Sequence, residues 1–411
     1  MKKTANTNYH ENMNTQKLFI FLLVFLSVVT LQEVTASFIN SKNIYTFGYI
    51  YYSGFSPLAI TPDTSTPIEN DLLPKYLFNG TESWKLITGN ETTTTTMNTS
   101  VKLQQIVTGM SVMFYVLEYF NSDTNSSLGQ RILVSGSNMN GQGAVIKPPY
   151  IMSTPELIYI YSKDGQAFNP FSNSNRIIHM ACLYSCLIVS SDGHVRYHYG
   201  LLEVGTGIWN VRFSAVSYND PDNGQLLTGV KYVHATIGGY YGCETMFAVT
   251  NYGHVFSSGC HNSGLRGTSS SYSDTSVNLI PSLRNITTVS VGFLDGNGET
   301  GKTAAGAIDV NGVLWTWGSN FNGMLGWNST LNVSETAQPV TLIQNPVTQV
   351  SFGFSHAIVM TNNGDVLCFG GNLYQQCDFN LLIHQSWSLK KLTMLQIHFT
   401  ALPRNTFQFA L

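Results

Sequence analysis

Apolar and polar positions alternate with a period of two in short stretches, and the clearest is VLWTWG at 313–318. Alternation puts Val313, Trp315 and Trp317 on one face of a strand and Leu314 and Thr316 on the other. Such stretches end at Gly or at Asn-Gly and Tyr-Gly pairs, which are turn chemistry, and no long helical periodicity intervenes. The pattern predicts strand, turn, strand, turn, an aromatic and β-branched strand, then a glycine-terminated bend.

The pattern repeats. VSVGF (289–293) returns as VSFGF (350–354), and the steps Gly253 to Gly259, Gly312 to Gly318 and Gly364 to Gly370 are equal. ILVSGSNMNGQG places Gly136, Asn138 and Gly141 as Gly318, Asn320 and Gly323 are placed later. One four-stranded unit cannot bury both of its faces, so copies must stack, and a ring removes the exposed ends. Counting on Gly48, Gly136, Gly200, Gly259, Gly318 and Gly370, with a degenerate copy near SWKLITGN, predicts an all-β single β-propeller. It has about seven four-stranded blades, or six with an insertion. The N-terminal NIYTFG strand (43–48) is expected to close the ring by completing a blade begun by LTMLQIHFTAL (392–402).

These motifs resemble the regulator of chromosome condensation repeat family. Its unit runs Gly, two residues, His, an apolar strand, Asp/Asn-Gly, aromatic-Gly, then x-Asn-x-x-Gly-Gln-Leu-Gly. Here Gly353 with His356, Asn363-Gly364, and Trp317-Gly318-Ser319-Asn320 through Gly323-Met324-Leu325-Gly326 carry the likeness. It is good over 230–377, partial over 100–229 and hardly more than IYTFG before that. Cys182 stands where the family has Gly, and Gln375 replaces the Gly of the last bend. The resemblance implies a seven-bladed propeller used as a binding platform. The founding member exchanges nucleotide on a small GTPase and binds chromatin, while other relatives are secreted inhibitors or receptor and ligase modules. No segment matches the founding member's exchange wedge.

Composition adds the compartment. The chain has 411 residues, of which 43% are hydrophobic and 10% charged, with a formal charge of −3. It has no cationic surplus for a nucleic acid backbone. Leu18–Leu31 is an uncharged apolar run preceded by Lys2, Lys3 and Lys17, too short to span a bilayer. Val34 and Ala36 come next as small residues before Ser37, so 1–36 reads as a signal peptide and 37–411 as the propeller. Sequons at Asn79, Asn90, Asn98, Asn125, Asn285, Asn328 and Asn332 fit a secreted or endomembrane-lumen glycoprotein. The six cysteines are expected to pair as neighbours, Cys182 with Cys186, Cys243 with Cys260 and Cys368 with Cys377, with free buried thiols as the alternative.

Motifs with catalytic overtones lose to the repeat. Gly296-Asn297-Gly298-Glu299-Thr300-Gly301-Lys302-Thr303 satisfies the phosphate-loop pattern, but it runs straight into the repeat's own strand, so it reads as an insertion within a blade. His194 and His198 read as ordinary surface histidines on a strand, and His356 as a structural hydrogen-bonding residue. No catalytic, cofactor or metal site is assigned. Tyr49, Tyr51, Tyr52, Tyr240 and Tyr241 are the candidate partner contacts, since Tyr offers area and a hydroxyl at interfaces; packing between blades is the alternative. The function expected is a non-enzymatic, monomeric protein-binding propeller without a membrane span after leader removal. The alternatives are guanine-nucleotide exchange on a small GTPase and glycan binding. Lys302→Ala is expected to leave stability unchanged, and calorimetric titration with ATP or GTP to show no saturable binding; micromolar affinity lost in the variant would refute the insertion reading.

Overall fold

The computed structural model describes residues 45–48, 64–69, 99–138, 143, 151–161, 167–168, 175–198, 209–260, 264–268, 274–294, 303–327, 331–371 and 385–391, apart from one or two positions within some of these ranges. Among them are five sheets, each built on four antiparallel strands, the third with a fifth, parallel strand besides. The first comprises Thr99–Gly109, Val112–Asn121, Ser127–Ser137 and Ile151–Leu157, and the second Ile177–Cys182, Cys186–Ser190, Val195–His198 and Asn210–Phe213. The third comprises Tyr232–Tyr240, Cys243–Thr250, Val255–Gly259 and Asp274–Leu279, and the fourth Ile286–Val291, Ala304–Asp309, Leu314–Ser319 and Val333–Pro339. The fifth comprises Val347–Phe352, His356–Thr361, Val366–Gly371 and Gln385–Lys391. The first strands of successive sheets pack on one another, which makes them the innermost strands.

Both faces of these sheets are buried, as stacking requires. Met246 and Ala248 join a cluster with Leu187, Val189 and Phe213 of the second sheet. The alternate residues Phe247 and Val249 pack instead with Ala305, Ala307 and Trp317 of the fourth. Leu314, on the face opposite Trp317, packs with Val359 and Phe369 of the fifth. The two-residue period thus assigns alternate side chains to two different cores, at about 1.5–3 kcal/mol for each large apolar side chain buried.

The repeated glycines have a common cause. Gly259, Gly318 and Gly370 have φ of 106°, 95° and 103°. A Cβ on them would lie 2.3, 2.7 and 2.5 Å from the carbonyl oxygens of Glu244, Thr303 and Ser355. The bend asparagines also repeat their work: the side-chain oxygen of Asn138 accepts from the Gly143 N–H at 2.9 Å, and that of Asn320 from the Leu325 N–H at 3.1 Å.

A feature not expected is a bulge shared by all five sheets. Pairing of the first strand with the second slips by one residue at Gln104, Ile178, Val233, Thr287 and Thr348. Counted from the bulge, Leu183 rather than Cys182 occupies the family glycine position in the second sheet. Other expectations need amendment. The partner found for Tyr45–Gly48 is Thr64–Glu69, while residues 392–402, expected to pair with it, lie outside the described residues. The fourth strand of the fifth sheet comes from its own chain sequel, Gln385–Lys391. His198 is buried against Trp209, because its strand is covered on both faces, and is no surface histidine. Thr303 leads directly into the strand Ala304–Asp309, and residues 296–302 lie outside the described residues.

Gly318→Ala is expected to cost about 2–4 kcal/mol through its left-handed φ and the carbonyl collision. A shifted midpoint in denaturant titration checks this, and an unchanged midpoint would contradict the assignment.

Candidate binding face

Each innermost strand turns into its second strand at the same edge of the stack, and in the second, third and fourth sheets these turns are unusual. In the second sheet Cys182 and Cys186, directly opposite in the ladder, form a disulfide around the three-residue turn Leu183–Ser185. In the third sheet Cys243 opens the second strand and is bonded to Cys260, just past the third. Two of the three neighbour pairings expected from sequence are present; Cys368 is also disulfide-bonded, and Cys377 lies outside the described residues.

Glu244, beside Cys243, ties these turns together. Its carboxylate accepts the N–H of Tyr184 at 3.0 Å, the N–H of Ser185 at 3.1 Å and the Ser185 hydroxyl. Burial pushes this carboxyl up from the ordinary range, while those three donors pull the other way. Sequence reasoning missed Glu244, because a single carboxylate within CETMFAVT gives no sign that its donors lie on another sheet.

The fourth sheet contributes a short strand, Phe293–Leu294, which leaves the innermost strand and pairs in parallel with Gly239 and Tyr240 of the third. Phe293 packs edge-on to Tyr184, with ring centroids 6.1 Å apart. This is where the insertion begins: Gly353 and His356 bracket the equivalent turn of the fifth sheet, whereas Gly292 and Ala304 bracket this one. Of the tyrosines expected to contact a partner, Tyr240 ends its strand at this edge; Tyr49, Tyr51, Tyr52 and Tyr241 lie outside the described residues.

The remaining candidates do not converge. The His356 ring packs beside Gly353, where an added Cβ would meet it at 2.6 Å. Its Nδ1 is buried without a partner among the described residues, so the expected structural hydrogen bond is not made through that atom. Burial lowers its pKa to about 4, and does the same for His198. No group of three or more His, Cys, Asp or Glu is placed to hold a metal among the described residues. Asn125 and Asn285 are exposed in turns, each with φ of 53°, and Asn332 is exposed, while Asn79, Asn90, Asn98 and Asn328 lie outside the described residues. Among the described residues, no helix is long and apolar enough to cross a membrane.

Two overlapping segments, 311–360 and 347–376, match models of the Regulator of chromosome condensation (RCC1) repeat. The chain carries RCC1 repeats in a β-propeller. Those matches fall on the fourth and fifth sheets, where the glycine spacing is most regular. The structure is similar to Prp20p from Saccharomyces cerevisiae, a protein with binding properties towards Gsp1p and histones, at a TM-score of 0.55 and 14% identity over 88% of this chain and 79% of that one. It is similar to the same extent to yeast RCC1 (Prp20) bound to Kap60, at a TM-score of 0.55 and 14% identity over 88% of this chain and 78% of that one. At this identity the likeness is one of fold.

Glu244→Ala is expected to cost about 3 kcal/mol by leaving three buried donors without their acceptor. Glu244→Gln, which keeps an acceptor in the same place, is expected to cost less than half as much. Equal melting temperatures for both variants and the parent would show that the tie is not structural.

Proposed function

We propose that this RCC1-repeat propeller is a secreted or endomembrane-lumen, non-enzymatic protein-binding platform that engages its partner at the edge bearing the two disulfides. The observation that carries the reading is the pair of disulfides, each closed within its own sheet, that fix the turns at that edge. Structural disulfides persist in oxidising compartments, in keeping with the apolar leader and the sequons. The ionisable groups there are engaged in structure: Glu244 is held by three donors and the thiols are paired. What the edge offers is a rigid frame from which an insertion departs, the usual arrangement of a binding loop on a scaffold. Guanine-nucleotide exchange is the competing reading, supported by the likeness to Prp20p in fold alone.

The extracellular species is expected to begin near Ser37 and to gain mobility after N-glycan removal; an N-terminus at Met1 or Met13, or unchanged mobility, would refute secretion. Partner recovery on the immobilised mature protein is expected to fall at least about tenfold on deleting residues 295–302 and to survive Tyr252→Ser at the opposite edge. Acceleration of nucleotide release from a small GTPase would favour the exchange reading instead.

A further inference from the structure

The innermost strands are joined by a repeated side-chain-to-backbone contact. Gln105 of the first sheet grips Met180 of the second on both sides: its Nε2 donates to the carbonyl at 3.1 Å and its Oε1 accepts the N–H at 3.2 Å. His179, at the equivalent place in the second sheet, hydrogen-bonds the backbone of Ala235 in the third. His234, the equivalent of the third, reaches the carbonyl of Val289 in the fourth at 3.1 Å. Each of these side chains stands one residue after the bulge and bonds the residue just after the equivalent position on the next sheet.

Two of these contacts are therefore made by histidines, and they adjoin: the His179 and His234 rings are 4.3 Å apart between centroids, and both are buried. We propose that the His179–His234 pair is an acid-sensitive latch, whose protonation parts the contacts joining the second, third and fourth sheets and frees their innermost strands to open. In its neutral form a ring can donate to a carbonyl through one nitrogen, and a proton on its second nitrogen puts a charge into a buried seam beside another imidazole.

The surroundings contain little to absorb such a charge. Of the strands packed against the pair, Thr99–Gly109 carries Lys102, which lies over the Phe120 ring, and Cys243–Thr250 carries Glu244, which is engaged by Tyr184 and Ser185. Cys186–Ser190, Ile286–Val291 and Phe293–Leu294 carry no Asp, Glu, Lys, Arg or His. Glu118 of the first sheet is paired with Arg176 at 2.6 Å, just before the second sheet's innermost strand. Desolvation, then the neighbouring His234, hold His179 well below the ordinary imidazole range, and desolvation lowers His234 to about 4. Because both values are depressed in the folded state, the unfolded chain takes up protons first on acidification. The stability is complete above about pH 6.5 and is lost as pH falls towards 4.

The molecule supplies its own non-titrating replacement, since Gln105 makes the same contact without an imidazole. Hydrogen exchange, corrected for intrinsic rate, is measured on the full mature chain at about pH 7.5 and about pH 5. Strands 177–182, 232–240 and 286–291 are expected to lose protection at least about tenfold more than 112–121 of the first sheet, which has no histidine. H179Q/H234Q is expected to abolish that difference. Uniform loss across all strands, or an unchanged acid response in H179Q/H234Q, would overturn the latch. Should the double variant fail to fold, ring-labelled histidines in the parent chain decide by NMR titration. Two rings that stay neutral until these strands open support the proposal, and rings that all titrate near pH 6.5 with the strands still protected refute it.

Discussion

The contact on which the architecture rests is the hydrogen bond from an innermost side chain to the backbone of the next sheet. Within a sheet, ladder bonds hold strands in register; between sheets backbone bonding is found at the strand ends, as at Gly239–Tyr240 with Phe293–Leu294 and at Gly193 with Tyr232, and the apolar packing between those ends is non-directional. Gln105, His179 and His234 supply the missing direction, each fixing the height of one sheet against the next. Ser290 extends the series at a neighbouring position, its hydroxyl accepting the N–H of Phe352 from the fifth sheet at 3.3 Å. The bulge just before the contact position recurs in all five sheets, and an extra residue at that point bends the strand and re-aims its side chain.

Fixed height is what allows alternate residues of a single strand to serve two cores. Phe247 and Met246 are neighbours in sequence, yet one packs with the fourth sheet and the other with the second. A one-residue slip would exchange these surfaces and unpack both cores together. The scarcity of charge has its origin in the same arrangement. A strand covered on both faces has little solvent-facing side-chain surface, so Ser, Thr and Asn at turns carry much of the polar work instead of Lys and Glu. The buried exceptions, such as Glu244, are held by hydrogen bonds to another sheet.

Features with short-range causes were legible in the sequence. Alternation around Trp317, the glycines whose Cβ would strike a carbonyl one strand away, the asparagine bends at Asn138 and Asn320 and two disulfides between near neighbours all have partners within a hairpin. What stayed hidden has partners far along the chain: Gln105 bonds a residue 75 positions away, and Glu244 residues 59 and 60 positions away. A trace did exist, because Gln105, His234, Thr288 and Gln349 each precede Gly109, Gly238, Gly292 and Gly353 by four residues. It is faint, since a polar residue within a strand is more often a solvent-facing one. The burial of His198 was missed for the same reason: alternation gives the two faces of a strand but not whether both are covered.

The two edges of the stack are built on different principles, and this bears on where a ligand would be felt. At one edge each hairpin turn is held by its own side chains: Asp309 accepts the N–H groups of Asn311 and Val313, Asp192 that of His194, and Asn363 that of Asp365. Such turns keep their own shape, and Gly193, Gly253 and Gly312 at this edge each accept one backbone N–H from the start of the next sheet, that of Tyr232, Ile286 and Val347. At the other edge the turn of the second sheet is gripped by Glu244 of the third, and the third sheet's innermost strand is extended by Phe293 and Leu294 of the fourth. Those turns have their shape only while the sheets stand at the correct relative height. A ligand that recognises that shape binds the assembled state in preference to the parted one, and so strengthens the seam by its own binding free energy. By reciprocity, loosening the seam weakens the ligand by the same factor, which couples the innermost contacts to the disulfide-bearing edge without any group passing between them.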